Sequence, residues 1–547
     1  MLNSIPGWNA PQFPSGKPPL NGGPVAYEPR CGSLSTENNA RRNGRPSRLV
    51  LLVMPPQRWL LDGFSSGLIS IANHAQRRSP GWTFRLVDFS RVSLTNIRKE
   101  LAASVDPAAS NVLVCITTTT ATYFGALAVA QAAKEIDRNW TVVLGGHHAT
   151  PEDTVVLEAH PRDVDIVVRG EGERALAGIL ASFPKWHATP GLTYRVGGRL
   201  VRTADAPSLT PLELDDLPPF LEGAETGLPL GRCDRVTYVS ARGCPLGCAF
   251  CAVAQETIRA KTIPAVIRDL DILVRQHGFM RIGIEDNFFA QAKRRTLALC
   301  KAISVFRRKT PGARFHWDCQ TRVESLSDPS VIRAMAEAGC DGVYLGVESF
   351  HPDILLALNK TRAPERYLDL LGNRVVPEIL DAGIGCYLNL QFGTPEETEA
   401  HRQRDVSVLR RLGALASHSG AKIVVCPMLS VVYPGTMSFR QGVTAGAWPR
   451  GIFEPFVEWE AVNEPVRRWL GRHFAHGTGG IPSGILRPEE LRRGKFQPDA
   501  DRILALDNHL RDLRSIEGIE IFSYEPHLVD TSGPRRIVYA PDSTTGR

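Results

Sequence analysis

Arg235-Val236-Thr237-Tyr238-Val239-Ser240-Ala241-Arg242-Gly243-Cys244-Pro245-Leu246-Gly247-Cys248-Ala249-Phe250-Cys251 runs from a strand-like segment into three cysteines within eight residues. Thiolates are the usual protein ligands of iron–sulfur clusters. Three of them can hold three irons of a [4Fe–4S] cube and leave the fourth iron open. With 11 cysteines in 547 residues, this CxxxCxxC spacing arises by chance somewhere in the chain with a probability of roughly 0.004, so it is read as a site. A zinc knuckle would want a fourth Cys or His close by, and none follows before His277.

The motif resembles that of the radical S-adenosylmethionine superfamily, down to the aromatic residue Phe250 before the third cysteine. The resemblance implies that Cys244, Cys248 and Cys251 are the essential residues and hold a [4Fe–4S] cluster. Its open iron would chelate the amino and carboxylate groups of S-adenosylmethionine and pass one electron into the sulfonium. An external electron donor of the flavodoxin or ferredoxin type is implied as well.

Working outward toward the C-terminus, strand candidates recur at Arg235 to Ser240, Arg281 to Glu285, Arg314 to Cys319, Gly342 to Val347, Ile384 to Phe392 and Lys422 to Leu429. Helical stretches alternate with them. Six βα units predict a partial (βα)6 barrel whose functional groups stand at the strand C-termini. By the resemblance, Glu285, Asp286, Asn287, Gln320, Arg322, Glu348 and Ser349 lie around the methionine and ribose, and Gly393 and Pro395 beside the adenine. Read from the residues alone, Glu348 or Arg322 could instead form a structural ion pair at the rim, and Asp286 to Phe288 could cap the next helix.

Working toward the N-terminus, a second alternating series begins at Arg48. Apolar strands are expected at Leu49 to Val53, Phe84 to Asp88, Val112 to Ile116, Thr141 to Leu144 and Asp165 to Val168, with a helix over Ala126 to Ile136. This predicts an α/β, doubly wound Rossmann-like sheet that binds ligands at strand carboxyl ends. The loops there read Asp62-Gly63-Phe64-Ser65-Ser66-Gly67, Thr117-Thr118-Thr119-Thr120 and Gly145-Gly146-His147-His148. In order, they resemble a cobalamin-binding domain. The resemblance implies cofactor contacts from Asp62, Phe64, Gly67, Thr117, Thr118, Thr119, Gly145, Gly146 and His147. Because Phe64 occupies the usual histidine position, cobalt would take no histidine ligand from that loop. Arg169-Gly170-Glu171-Gly172-Glu173 also resembles these domains where they border the catalytic part, and Glu171 is counted among the cofactor contacts. Taken singly, the threonines suit a helix N-cap and the glycines a tight turn.

Length allows three to four domains of about 150 residues. The expected division is an extended arm over 1–47, which holds eight prolines and six glycines, a cobalamin-binding domain over 48–185 and a linker over 186–234. The barrel would span 235–435, and a cap or substrate-recognition region 436–547. A net charge of +7 from 64 basic and 57 acidic residues does not argue for nucleic acid. No apolar run reaches the ~18 residues of a membrane span, and no secretory signal pattern opens the chain. A cytoplasmic location is therefore expected.

The two resemblances together imply a cobalamin-dependent methyltransferase acting on an unactivated carbon of a small molecule, in the biosynthesis of a specialised metabolite. Methyl would pass from one S-adenosylmethionine by way of methylcobalamin, while a second yields the 5′-deoxyadenosyl radical that removes the substrate hydrogen. Cyclisation or oxidation without methyl transfer, a polar methyl transfer and a non-catalytic cobalamin sensor are the alternatives. The substrate is not legible, since fold and cofactors are shared among many reactions.

Overall fold

The computed structural model describes residues 47–56, 66–90, 92–219, 235–310, 315–419, 422–454, 464–474 and 480–522, together with the two-residue strand Gly32–Ser33. The rest of the arm expected over 1–47 lies outside the described residues, as do Asp62 and Phe64.

Leu49-Val50-Leu51-Leu52-Val53 is buried throughout because its alternate side chains serve two cores. Leu49, Leu51 and Val53 pack with the helix Tyr123–Ile136; Val50 and Leu52 pack on the opposite face with the helices Ser66–Arg78 and Gly172–Ser182. A continuous apolar run is what a parallel strand covered on both faces requires. This strand, β1 (Ser47–Met54), is flanked by β2 (Thr83–Asp88) and β3 (Ala109–Thr117). β4 (Thr141–Gly145) and β5 (Ile166–Val168) continue the sheet in the order β2-β1-β3-β4-β5, all parallel. The strand order reverses between β1 and β3, which makes their carboxyl ends the binding crevice of such a sheet.

The expected linker departs from its reading. β6 (Leu192–Val196) and β7 (Arg199–Arg202) form an antiparallel hairpin that extends the sheet beyond β5. Residues 203–217 then run back as an ordered strap, with Leu209, Leu214 and Leu217 forming their own small core. Proline density suggested an open segment, but Pro211 sits in the first turn of the helix Pro211–Asp215, behind a Thr210–Glu213 capping box.

The barrel sheet is wholly parallel and in sequence order: β8 (Arg235–Tyr238), β9 (Arg281–Ile284), β10 (His316–Thr321), β11 (Cys340–Glu348), β12 (Gly385–Phe392) and β13 (Ile423–Leu429). Cys386, Leu388, Leu390 and Phe392 of β12 are buried against the helices, while Tyr387, Asn389 and Gln391 alternate onto the other face. Tyr344 and Tyr387 stack there with ring centroids 4.4 Å apart. Gly342 stands close by, where a Cβ would come within 3.1 Å of the Tyr387 ring.

The C-terminal region is more than a cap. β14 (Ile519–Ile521) adds a seventh strand beside β13, and the helix Ala500–Arg514 buries Ile503, Leu506, Leu510 and Leu513 in the barrel's own core. Those residues recur on one helical face, and an apolar stripe of that width is buried against a scaffold. The helix expected over 463–473 is present as Glu464–His473.

Candidate functional site

The cysteine loop is rooted on a two-residue ribbon, Ala241–Arg242 paired with Arg259–Ala260. Gly243 has φ +87°, and a Cβ there would lie 2.3 Å from the Thr257 carbonyl oxygen, so the two ends of the loop close only on glycine. Within the loop the Glu256 N–H donates to the Cys244 carbonyl at 2.8 Å, Gln255 N–H to Leu246 at 2.8 Å and Cys251 N–H to Cys248 at 3.2 Å. From outside, the Asn359 amide donates to the Gly247 carbonyl and Ala249 N–H to Leu358. Phe250 is half-buried.

Burial pushes both the Cys244 and Cys251 thiols up, Cys251 to about 11, and the neighbouring cysteines of the motif push in the same direction. The three thiols therefore stand within one another's field. Among the described residues no three His, Cys, Asp or Glu side chains converge as ligands of one ion. A cube does not require that, since each thiolate meets a different iron. The donor set and its braced backbone fit a [4Fe–4S] cluster.

Around the loop, the expected ligand-binding residues divide into two groups. Asp286 is buried, and its carboxylate accepts from the Ser240 N–H at 2.6 Å, the Ser240 hydroxyl at 2.6 Å and the Ala241 N–H at 2.9 Å. Burial raises it to about 6 even so. Asn287 accepts from the Gly243 N–H at 3.3 Å, and Gln320 donates to the Asp286 carbonyl at 3.1 Å. These three brace the root of the cysteine loop, where they were expected as contacts of the methionine and ribose. Glu285 is exposed at the end of β9.

The second group lines the rim. Arg322 donates from Nη1 to the Cys248 Sγ at 3.4 Å, from Nη2 to the Lys360 carbonyl, and to Glu324. Glu348 has φ +70° at a bulge in β11. Its two carboxylate oxygens accept from Lys360 Nζ at 2.9 Å and Gln391 Nε2 at 2.9 Å. A non-glycine residue in that region is held by its surroundings at a cost of ~1–3 kcal/mol. The ion pair that sequence reading left open is thus present, and Lys360 and Gln391 were not foreseen. Ser349 accepts from the His351 N–H at 3.1 Å. A cavity is lined by Glu348, Ser349, His351, Gln391 and His401. Gly393 has φ +71° and its N–H donates to Glu397 at 2.7 Å. Thr394 buries a hydroxyl with no hydrogen-bond partner, and Pro395 beside it is exposed. An orphan hydroxyl at the rim suits a polar ligand atom.

On the first sheet, Gly146 has φ +104° and a Cβ there would stand 2.4 Å from the Thr118 carbonyl oxygen. At Gly125 a Cβ would stand 2.3 Å from the Pro56 carbonyl oxygen. The β3 and β4 loops thus approach backbone to backbone, as does the helix Tyr123–Ile136 to Pro56, at the strand ends where such a sheet binds its ligand. The hydroxyl run takes its helix-cap alternative. Thr118 donates to the Gly145 carbonyl at 2.8 Å and accepts from the Ala149 N–H at 3.2 Å, and Thr119 forms a capping box with Thr122. Thr117 closes β3, half-buried, and Gly67 lies exposed at the start of the helix Ser66–Arg78.

His147 is exposed; in the cysteine loop, burial pushes the Glu256 carboxyl up, with His147 and Arg259 opposing the shift. His148 is fully buried and stacks on Tyr123 at 4.0 Å, with burial lowering it to about 3, so it is neutral. Tyr123 donates to Glu454 at 2.8 Å, and Phe453 meets the His148 ring edge-on. Glu171, expected at the cofactor, pairs with Arg242 and Arg259 of the cysteine-loop ribbon. Its sequence context pointed to an interface, but no local pattern joins it to residues 71 and 88 positions away.

The Radical SAM superfamily profile matches residues 238–416, and the B12 binding domain profile matches residues 61–180. The chain thus carries side by side the two domains of cobalamin-dependent radical S-adenosylmethionine enzymes. The uncharacterised methyltransferase PH0819 of Pyrococcus horikoshii is 28% identical over 66% of this chain and 78% of its own. The anaerobic magnesium-protoporphyrin IX monomethyl ester cyclase of Cereibacter sphaeroides is 27% identical over 43% of this chain and 40% of its own. Among solved structures, the radical S-adenosylmethionine methyltransferase TsrM of Kitasatospora setae, with tryptophan and an S-adenosylmethionine analogue, covers 73% of this chain and 77% of its own. Its TM-score is 0.57 at 18% identity, a likeness of fold. The cofactors of such enzymes are a [4Fe–4S] cluster, S-adenosylmethionine and cobalamin. No described helix is long and apolar enough to cross a membrane.

Proposed function

We propose that this chain is a cobalamin-dependent radical S-adenosylmethionine methyltransferase acting on an unactivated carbon of a small molecule, in the making of a specialised metabolite. The observation that carries the reading is that the helix opening with Glu171 and Glu173, on the first sheet, is bonded directly to Arg242 and Arg259 at the root of the cysteine loop. The cobalamin-binding unit and the cysteine loop are thus neighbours in the fold. Resemblance to PH0819 over most of both chains supports methyl transfer.

Bound, the cobalamin supplies a methyl carrier and the cluster with S-adenosylmethionine supplies a carbon-centred radical. The protein's part is to hold and align. Cys244, Cys248 and Cys251 supply the thiolates, with the Arg322 guanidinium beside Cys248 balancing their charge. Glu348, fixed by Lys360 and Gln391, presents a carboxylate edge for the methionine amino group, and Thr394 a hydroxyl for the adenosyl end. The stacked Tyr344 and Tyr387 fill the barrel interior beneath the strand-end site. Electrons come from a flavodoxin- or ferredoxin-type donor in a cytoplasmic setting. No nucleic acid or membrane partner enters this reading.

Turnover with methyl-deuterated S-adenosylmethionine tests it, using substrate candidates suggested by neighbouring genes. The expected products are S-adenosylhomocysteine, 5′-deoxyadenosine and a labelled methylated compound. Deoxyadenosine with an unlabelled, altered product would favour the cyclase reading, which resemblance to the monomethyl ester cyclase keeps specific. Labelled product without deoxyadenosine would replace radical by polar transfer.

A further inference from the structure

The two sheet units are joined at the root of the cysteine loop by two guanidinium groups, of which Arg242 reaches the buried Glu173. Arg242, two residues before Cys244, donates from Nη1 to Glu171 at 3.0 Å, and from Nη2 to Glu173 at 2.8 Å and the Ser70 hydroxyl at 2.8 Å. Ser70 in turn donates to the same Glu173 oxygen at 2.5 Å. Arg259, directly across the ribbon from Arg242, donates to the other Glu171 oxygen at 2.9 Å and to the Leu209 carbonyl at 3.0 Å. The Leu209 N–H completes the set on Glu171 at 2.8 Å.

Place matters more here than strength. Ser70 lies on the helix that follows the β1 loop, and Glu171 and Glu173 open the helix that follows β5. Both helices pack on the sheet that carries the cobalamin crevice. Arg242 opens the loop that carries the three thiols. A surface ion pair would leave the two units free to shift, but the Glu173 side chain is only 3% exposed. A planar guanidinium engaged by both arms admits a single orientation, which an ammonium on a flexible stem does not.

We propose that Arg242 is a positioning residue that sets the separation between the cobalamin crevice and the cysteine loop. The proposal rests on the cofactor assignment above. A reactive alignment missed by about 1 Å can cost on the order of a hundredfold in rate, so a two-cofactor enzyme needs such a reference point.

The test compares Arg242→Gln, Arg242→Lys and Glu173→Gln with wild type, with Arg281→Gln, which breaks an exposed pair to Asp341 at the other end of the barrel, as the control. In loaded holoenzyme, pulsed electron paramagnetic resonance reads the dipolar splitting between cob(II)alamin and the dithionite-reduced cluster. Wild type and the control should show one defined splitting. Arg242→Gln and Glu173→Gln should lose it to a broad distribution while keeping iron and cobalamin content, and Arg242→Lys should recover it only in part. In cofactor-free protein, hydrogen exchange should accelerate jointly in residues 241–260 and 172–182 of Arg242→Gln. Wild-type splitting and exchange in both glutamine variants would overturn the proposal. Wild-type protein that takes up neither iron nor cobalt would overturn the cofactor assignment instead, and the exchange measurement would still decide the clasp.

Discussion

Arg322 donates a hydrogen bond from Nη1 to the Sγ of Cys248 across 3.4 Å, from the end of β10, 74 residues downstream of the cysteine it serves. The guanidinium stays charged against the cost of burial because Glu324 pairs with it. A fixed positive charge beside a cluster ligand favours the more negative, reduced state. Arg322→Gln should therefore keep its iron but lower the cluster's reduction potential. A differential interaction of about 1.4 kcal/mol corresponds to about 59 mV for one electron. Potentiometric titration checks this, and an unchanged or raised potential would refute it.

Replacing Cys244, Cys248 and Cys251 together by alanine should remove the cluster, because the three are the only thiols on that braced loop. Iron and sulfide assays after anaerobic reconstitution should fall from about four irons per chain to none. Retained iron would mean that other ligands hold it.

Lys360 and Glu348 form an ion pair with side chains 4% and 9% exposed. Removing one partner strands a buried charge, which costs about 3–5 kcal/mol. Lys360→Met should lower the melting temperature sharply, and adding Glu348→Gln should restore much of it. Isothermal titration should show both variants binding S-adenosylmethionine more weakly. Equal melting temperatures for single and double variants would contradict the coupling.

Gly146→Ala should cost cobalamin and spare the cluster. The new Cβ meets the Thr118 carbonyl at 2.4 Å on a backbone at φ +104°, so the β3 and β4 loops must part. Absorbance of the bound corrin measured against iron content decides the matter. Loss of both together would point to general unfolding.

Asp286 is pushed up to about 6 by burial, despite the donors Ser240 and Ala241 that pull it down. A carboxyl that is easier to protonate folded than unfolded contributes stability at low pH that is lost as pH rises through the window from about 4 to 6. The loss is on the order of 3 kcal/mol. Asp286→Asn keeps an acceptor for the two N–H groups and a donor for the Ser240 hydroxyl. Relative to wild type, it should gain stability between pH 4 and 7 in denaturant melts. A difference independent of pH would show that the carboxylate does not titrate there.

Contiguous residues made much of this molecule readable without coordinates. The β1 run is apolar at every position because both its faces are buried, while a barrel strand such as β12 shows alternation, apolar side chains toward the helices and polar ones toward the interior. The cysteine loop is legible because its ligands are neighbours in the chain. Gly243 and Gly146 were visible as glycines, but the carbonyls that exclude a Cβ there, of Thr257 and Thr118, were not. β6 and β7 went unread because short, partly polar hairpin strands share their composition with loops, and β14 because three residues carry too little periodicity.

Sequence by itself determined the two sheets, their parallel character and the three-thiol motif, since each follows from local hydrophobic period or ligand spacing. Only the tertiary structure decided that Asp286, Asn287 and Gln320 brace the loop, that Glu348 is held by Lys360 and Gln391, and that Arg242 clasps Glu171 and Glu173. The reason is physical. Whether a carboxylate faces a ligand, a lysine or a backbone N–H depends on which strand end folding brings beside it, and such pairings, between 12 and 71 residues apart, leave no trace in local pattern.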